Sequence, residues 1–372
     1  MIKELKIKLA MQELKMPTSA DLTPYPAARA ETHSIFVNVE NQQGDIGYGE
    51  SCPRNYVVSD SIPSVSRFFD EYYSDIIHYV RDLPSLQQWT EDHELEIDNN
   101  PAAWCAVELA LLDLFAKEKF VTVETLLGLP PVKGQFYYSA IVGHDIQHRF
   151  VKSVQRFVEM GLFDFKITLS GDLKKDRVNL QLLDEIAGAP VRVRANANNL
   201  WRSVLQAKDY VNALNYPLFA LEEPLKSQNI VELQALGDEL AIPIILDDSC
   251  SRVDQLNLLT KAGAERWIIN LRISKLGGLL RSLTFIQRAR ELGIPMIIGS
   301  QIGETSILTR AACTAAMAAQ DILIAQEGAF GTMFLEEDTC YPSVMFGHAG
   351  RLDGSDFQFD SGYGFGLNYV VH

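Results

Sequence analysis

Three oxygen-bearing side chains, Asn196, Glu222 and Asp247, each follow a short apolar run of the chain. The runs read VRVRANAN, FALEEP and IPIILDDS, and roughly 25 residues separate successive polar residues, which is the spacing of a β/α repeat. Because successive parallel strands of a barrel end on one face, we expect these side chains to converge there. Converging amide and carboxylate oxygens suit a hard divalent cation. Alternatively, the three residues only hydrogen-bond their own loops.

The elements that must position these residues alternate between strand and helix. Eight candidate strands are followed by helix-like segments, and they begin near Tyr137, Asp164, Val191, Leu218, Ile244, Trp267, Pro295 and Ile322. No glycine-rich nucleotide-binding motif follows the first of them. This pattern favours a (β/α) barrel, an α/β fold, over an open sheet.

The residues before the barrel predict a smaller α+β domain. Alternation in Ile2 to Leu9 indicates a strand, and a Pro/Ser/Ala-rich loop is expected from Lys15 to Arg29. Thr32 to Val39 and Asp45 to Glu50 predict a hairpin, and helices are expected over Ser61 to Val80 and after Asn99-Asn100-Pro101. We therefore predict a capping domain over residues 1–130, a barrel over 131–338, and a segment over 339–372 that returns to the capping domain.

The composition disfavours several classes of partner. The formal charge is -15 and the pI is near 4.9, which disfavours nucleic acid and anionic membrane surfaces as partners. Five scattered cysteines without a CxxC pair indicate reduced thiols in a cytoplasmic protein. No signal-peptide core begins the chain, and no run approaches the roughly 20 apolar residues of a membrane span.

Several motifs in order resemble the enolase superfamily, in particular the muconate lactonizing enzyme and dipeptide epimerase branch. The sequences are GYGESCPR, AVELALLDLFAKEKF, LEEP, LDDS and SGYGFGL, and the likeness covers nearly the whole chain. The resemblance implies a modified TIM barrel of the (β/α)7β type with an N-terminal α+β capping domain. It also implies metal ligands at Asn196, Glu222 and Asp247, with Mg²⁺ as the cofactor and Mn²⁺ as the alternative ion. Asn196 stands where the family has Asp, so weaker metal binding is expected.

Two positions depart from the catalytic lysines of that branch. The family's Lys-x-Lys reads Lys166-Ile167-Thr168 here, and the lysine of the sixth strand is Arg272. Lys166 is the remaining candidate base, since residues two apart on a strand share a face, and the alternative is an ion pair with Glu222. Arginine stays protonated, so Arg272 would clamp a carboxylate or form a structural ion pair. Thr168 cannot abstract a carbon-bound proton unaided.

The remaining candidates lie around the barrel mouth and in two capping loops. Asp248 and Glu304 match acidic positions of the family, and Glu304 would orient a ligand or water. The resemblance places specificity loops at 16–29 and 52–60, where Arg29, Arg54 and Tyr56 would contact an anionic substrate. Lys275 is expected to be structural.

The resemblance implies a Mg-dependent enzyme that removes a proton next to a carboxylate and stabilises the enediolate. With both lysines replaced, two-base racemisation or epimerisation is not expected. We expect instead an isomerase, cycloisomerase or lyase that acts on a small carboxylate through enediolate or cation-stabilised chemistry. The alternatives are a catalytically silent relative that keeps the pocket for binding or assembly, and an enzyme in which an unrelated acid has become the base. A homo-oligomer is expected.

Overall fold

The computed structural model of the protein describes residues 7–18, 31–53, 60–143, 146–259, 263–357, 359 and 362–370. They contain thirteen strands and thirteen helices of α type. The strands are β1 Lys8–Pro17, β2 Glu31–Glu40, β3 Ile46–Ser51, β4 Gln135–Tyr137, β5 Ala140–Val142, β6 Asp164–Thr168, β7 Arg192–Asn196, β8 Ala220–Glu222, β9 Ile244–Leu246, β10 Trp267–Leu271, β11 Met296–Ile298, β12 Leu323–Gln326 and β13 Arg351–Asp353. The helices are α1 Ile62–Tyr79, α2 Leu83–Asp92, α3 Glu94–Asn99, α4 Pro101–Glu118, α5 Val123–Leu127, α6 Gln147–Glu159, α7 Leu173–Ala187, α8 Val204–Leu214, α9 Ile230–Leu240, α10 Val253–Leu259, α11 Ile273–Leu276, α12 Leu279–Glu291 and α13 Ser306–Ala318.

The N-terminal strands β1, β2 and β3 form an antiparallel sheet, and helices α1 to α5 follow it. The predicted hairpin and the helices after Ser61 and Asn100 are confirmed. The expected loop from Lys15 is wrong at its start, since β1 continues to Pro17. The reason is β2, which is long enough to pair along all of β1, from Lys8 opposite Glu40 to Pro17 opposite Glu31.

The barrel is an eight-stranded parallel sheet in the order β12-β11-β10-β9-β8-β7-β6-β5. Tyr138, just before β5, forms a parallel bridge with Gln326 of β12, and the Ser139 amide donates to the Gln326 carbonyl at 2.8 Å. Helices connect each strand to the next from β5 to β12. The expected α/β fold, a (β/α)7β barrel with an N-terminal α+β unit, is therefore confirmed.

The barrel interior is apolar at one level and charged above it. Five buried side chains form the apolar layer, namely Ala220, Ile245, Ile268, Ile297 and Ala325. Glu222 of β8 and Glu327, which directly follows β12, come two residues after Ala220 and Ala325, and both are buried. Because side chains alternate along a strand, these carboxylates also point inward, toward the carboxyl ends of the strands.

Two buried carboxylates of the N-terminal unit cap helices of the barrel. Glu50, in β3, accepts hydrogen bonds from the amide and hydroxyl of Thr305 at 2.8 and 2.7 Å, at the start of α13. Glu108, in α4, accepts from the Leu280 amide at 2.9 Å, at the start of α12. Both carboxylates thus satisfy helix N-terminal donors across the junction of the two units.

The C-terminal segment lies against the N-terminal unit. Gly364 forms a bridge with Thr122, and the Tyr369 hydroxyl donates to Asp113 of α4 at 3.0 Å.

Within the described residues, no helix combines the length and apolar character that a membrane crossing requires.

Candidate functional site at the barrel mouth

The predicted strand-end residues lie side by side at the barrel mouth. In the parallel register, Thr168 of β6 is opposite Asn196 of β7, and Asn196 is opposite Glu222 of β8. Asp247 directly follows β9 and Arg272 directly follows β10. The structure therefore brings these five residues to one rim, as expected for the carboxyl ends of parallel strands.

Lys166 is locked between two carboxylates below this rim. Its Nζ lies 2.7 Å from Glu222 Oε1 and 3.0 Å from Glu327 Oε2, and the side chain is only 6% exposed. Burial by itself lowers the pKa of Lys166. The Glu222 and Glu327 carboxylates raise the pKa by more than burial lowers it, so the pKa of Lys166 lies above the ordinary lysine value. The structure has the ion pair that was the alternative to a free base, and Lys166 is a protonated counter-ion.

Arg194 completes this buried group, which we name the inner ion network: Lys166, Arg194, Glu222 and Glu327. The Arg194 guanidinium is fully buried and donates from Nη1 to Glu327 Oε1 at 2.7 Å. Burial raises the pKa of Glu327, but Lys166 and Arg194 hold it down to about 2. Because two cations hold the Glu327 carboxylate, the network forms a fixed, charged layer beneath the barrel mouth.

Asp247 is also held by two cations. Lys275 Nζ donates to the Asp247 carbonyl at 2.6 Å, to Asp247 Oδ1 at 2.7 Å and to the Asn270 carbonyl at 3.0 Å. Arg272 Nη2 contacts Asp247 Oδ2, and its Nη1 donates to Gln301 Oε1 at 3.1 Å. Both carboxylate oxygens of Asp247 therefore already accept from side-chain cations. Lys275 is structural, as predicted, because its three protons have three acceptors.

The neighbouring acids differ in their partners. Glu223 Oε1 accepts from the Asp247 amide at 2.7 Å and from the Ser249 amide and hydroxyl at 2.9 and 2.7 Å, so Glu223 holds the loop after β9. Asp248 keeps a buried Oδ1 with no hydrogen-bond partner in the described part of the chain. Burial raises the pKa of Asp248 above the ordinary aspartate value.

The three predicted metal ligands do not present free oxygens to a common point. Asn196 Oδ1 accepts the Asn198 amide at 2.9 Å, which is the local loop bond that was the alternative interpretation. Glu222 has one occupied oxygen and one buried, unpartnered oxygen, Oε2. Across the described residues, no group of three or more His, Cys, Asp or Glu side chains is placed to hold a metal ion. With Lys166, Lys275 and Arg272 on the same carboxylates, these residues do not fit a divalent ion.

No neutral amine is available at the mouth among the described residues. The Lys166 ammonium donates hydrogen bonds to two carboxylates, and the Lys275 ammonium donates to three oxygen atoms. Burial first, and then Arg272, lower the pKa of Lys275 to about 8, which leaves it protonated at neutral pH. Arg272 is a permanent cation, and its side chain is 12% exposed at the rim. The arrangement can therefore bind or stabilise an anion, and none of these three cationic side chains is free to act as a base.

The N-terminal unit positions one loop of the rim. Thr32 and Ser34 of β2 donate to the carbonyls of Ile302 and Gly303 at 3.3 and 3.2 Å. In the same loop, Glu304 accepts the Gln301 amide, and Gln301 in turn accepts from Arg272. Glu304, predicted to orient a ligand or water, thus acts here on the loop that holds the Arg272 guanidinium. Arg29, Arg54 and Tyr56 lie outside the described residues.

Sequence reasoning missed Arg194, Glu327 and Gln301. A signal existed for the first, since Arg194 is two residues before Asn196 and must share its face of β7. Glu327 follows the last residue of β12, the same location that singled out Asp247 after β9. Gln301 sits in a loop, and its contact with Arg272 has no signature in the sequence.

Comparison with known proteins identifies the family. A family described as Enolase C-terminal domain-like matches residues 149–368. A hydrophobic dipeptide epimerase of Enterococcus faecalis is 24% identical over 86% of this chain and 88% of its own length. A dipeptide epimerase of Methylococcus capsulatus, solved with Mg and the dipeptide L-Arg-D-Lys, superimposes with a TM-score of 0.81 at 22% identity, over 98% of this chain and all (100%) of that one.

The muconate cycloisomerase of Pseudomonas fluorescens superimposes equally well. Its TM-score is 0.82 at 20% identity, over 98% of this chain and 97% of that one. At these identities the solved structures establish the fold, and the family match covers more than half of the chain. The chain therefore belongs to the Enolase C-terminal domain-like family, within the mandelate racemase and muconate lactonizing enzyme-like part of the enolase superfamily.

Proposed function

We propose that this protein binds a small carboxylate at its barrel mouth and does not transfer a proton at the carbon next to it. The observation that carries the proposal is the position of Lys166, whose ammonium is bonded to Glu222 at 2.7 Å and to Glu327 at 3.0 Å. An amine held in this way stays protonated, and arginine cannot replace it as a base. Of the functions expected from the sequence, the silent, ligand-binding relative is the one that this geometry supports best.

Arg272 is the group that would receive the ligand. It projects from the end of β10 to the rim, and its buried Nε has no hydrogen-bond partner within the described residues. A guanidinium binds a carboxylate through two parallel hydrogen bonds, and Gln301 is a neutral partner that a carboxylate would outcompete. Dipeptides are a reasonable first ligand class, since related epimerases act on them.

A second candidate is an isomerase, cycloisomerase or lyase that works without a base. Arg272 favours it, because a guanidinium at the mouth would stabilise negative charge that develops on a bound carboxylate. In such an enzyme, a carboxylate of the ligand would add to a double bond conjugated to the bound carboxylate, so that a C–O bond forms as the π bond opens to the enediolate. Water would then supply the proton that the α carbon of the product takes up. The magnesium-dependent form of this chemistry is not part of the proposal, because Asp247 and Glu222 already accept from Arg272, Lys275 and Lys166.

The remaining properties follow as proposals of the same kind. Arg29, Arg54 and Tyr56 would contact the distal part of the ligand. A cytoplasmic location is supported by the five cysteines, which are all free and buried. A homo-oligomer is proposed from the family resemblance.

The test incubates the protein in D₂O with dipeptides and small dicarboxylates, with and without Mg²⁺. Calorimetry measures binding and mass spectrometry measures deuterium uptake and product formation. We expect at least one ligand to bind with no uptake and no product. Uptake at the α carbon of unconverted or epimerised ligand would overturn the proposal, and deuterium found only in a cyclised or rearranged product would select the base-free enzyme.

Two arginine variants, one at the barrel rim and one on the exposed surface, test whether the ligand binds at Arg272. Arg272→Gln removes the proposed carboxylate clamp, while Arg252→Gln removes an exposed arginine paired with Asp254. Binding should be lost in the first variant and kept in the second. Equal binding by both would place the ligand away from Arg272.

A further inference from the structure

We propose that the barrel mouth is built to work without a divalent ion, and that the side chains of Arg272 and Lys166 hold the positions that a metal would take. Arg272 contacts Asp247 Oδ2, and Lys166 lies 2.7 Å from Glu222 Oε1. These two acids come from neighbouring strands, β9 and β8, at the rim. Each of them meets a cation of the chain itself.

The charge of the directly paired groups supports this inference. Three carboxylates, those of Glu222, Asp247 and Glu327, are paired with four cations, those of Lys166, Arg194, Arg272 and Lys275. Four positive charges against three negative ones leave a net charge of +1. Asp164, which lies 3.8 Å from Arg194, does not change this sum, because Arg192 is paired with Asp164. A metal site needs excess negative charge, which this set lacks, and several free oxygens, of which this set has one, Glu222 Oε2. Glu223 Oε1 is bonded to the loop amides of Asp247 and Ser249, and its buried Oε2 has no hydrogen-bond partner among the described residues. That oxygen belongs to no group of three or more His, Cys, Asp or Glu side chains placed to hold a metal ion within the described part of the chain.

Geometry points in the same direction. The third oxygen, Asn196 Oδ1, is turned to the Asn198 amide. The unpartnered Glu222 Oε2 shares its carboxylate with the Lys166 ammonium, so an ion there would be repelled at short range. A divalent ion would bind only if Arg272 left Asp247, and that guanidinium is also held by Gln301 at 3.1 Å.

The inference has a chemical consequence for the ligand. In a metal-bearing site, the ion receives the ligand's carboxylate. Here a planar guanidinium would receive it, through paired hydrogen bonds of fixed direction. The site should therefore bind carboxylates equally well with and without a chelator. This consequence rests on the proposed function, but the absence of a metal does not.

The experiment titrates Mn²⁺ into the full chain and follows the free ion by electron paramagnetic resonance, without any ligand. We expect no stoichiometric binding by the wild type. Arg272→Gln frees Asp247, and its Mn²⁺ affinity should exceed that of the wild type by about tenfold or more, as for removal of one close positive charge. Arg252→Gln, on the exposed surface, should behave as the wild type.

Each outcome bears on the inference. Stoichiometric Mn²⁺ binding by the wild type that Asp247→Asn abolishes would overturn it. If folded Arg272→Gln gained no affinity, the claim that Arg272 stands in the metal's place would be wrong. If Arg272→Gln failed to fold, the wild type and Asp247→Asn would still decide. Because no carboxylate ligand is present, failure here is distinct from failure of the proposed binding function.

Discussion

The ammonium of Lys166 and the carboxylate of Glu222 lie 2.7 Å apart, and both are buried in the barrel. One was expected to be a base and the other a metal ligand, and their contact argues against both roles. A lysine bonded to a carboxylate does not take up a further proton, and a carboxylate shared with an ammonium is a poor ligand for Mg²⁺. This pair therefore links the two proposals, that no proton is transferred at the α carbon and that no metal ion is bound.

Removal of Lys166 should destabilise the fold strongly. Lys166→Met leaves Glu222 and Glu327 buried without their shared cation, and breaking a buried ion pair costs about 3–5 kcal/mol. Urea denaturation measures the change in the free energy of unfolding. Lys174→Met, at an exposed lysine of α7, is the control and should change it little. A loss below about 1 kcal/mol for Lys166→Met would show that the network is not tightly coupled.

Replacement of Arg272 by lysine should weaken carboxylate binding while the charge is kept. A lysine ammonium is a point charge and lacks the guanidinium fork, so we expect about a tenfold loss of affinity for the best ligand of the panel. Calorimetry measures it, and the circular dichroism spectrum checks the fold. Full affinity in Arg272→Lys would mean that charge alone, without paired hydrogen bonds, holds the ligand.

Stability should decrease as the pH rises from about 5 to 8. Burial raises the pKa of Glu50 to about 8 and that of Glu108 to about 7, both from an ordinary value of 4.5. The folded state therefore holds these protons more tightly than the unfolded state. Their contribution is full below the unfolded pKa and is lost as the pH passes 7 and then 8. Together they should change the free energy of unfolding by several kcal/mol.

Glu108→Gln isolates one of these groups. Glutamine is neutral at every pH and keeps an oxygen for the Leu280 amide, so the variant should show a flatter pH dependence than the wild type. Urea midpoints at several pH values measure this, with Glu239→Gln, at an ion pair near the protein surface, as the control. Parallel profiles for the wild type and Glu108→Gln would mean that Glu108 does not titrate in this range.

A methyl group at Gly299 should disturb the inner ion network through Asn270. A Cβ there would lie 2.1 Å from Asn270 Oδ1, and Asn270 Nδ2 donates to Glu327 at 3.4 Å. Gly299→Ala should therefore cost about 1–3 kcal/mol of stability, the range for overpacking. Gly347→Ala is the control, since the nearest atom to its Cβ would be 3.9 Å away. Thermal unfolding compares the two, and equal midpoints would show that Asn270 moves freely.

Much of the fold was predictable because it follows local patterns. The barrel strands were located from short apolar runs, and β6, β9 and β10 begin at the predicted Asp164, Ile244 and Trp267. The rim was predictable for the same reason, since parallel strands place their carboxyl ends together. The end of β1 was not predictable, because the length of this strand is set by its pairing with β2, a contact between residues distant in the sequence.

The electrostatics of the site were less predictable. The Lys166–Glu222 pair was predicted as an alternative, but the bond between Lys166 and Glu327 was not predicted. Glu327 follows the last strand and reaches Lys166 only when the barrel closes. The contact between Arg272 and Gln301 likewise depends on a loop that β2 positions through Thr32 and Ser34. Sequence spacing shows which residues reach the rim, and it does not show which of them neutralise one another.

The central claim is tested most directly by a crystal structure of the wild-type protein grown with manganese, with an anomalous difference map at the manganese edge. We predict no peak between Glu222 and Asp247, with the Arg272 guanidinium on Asp247 and the Lys166 ammonium on Glu222. A strong peak bound by Asn196, Glu222 and Asp247, with Arg272 displaced from Asp247, would contradict the account.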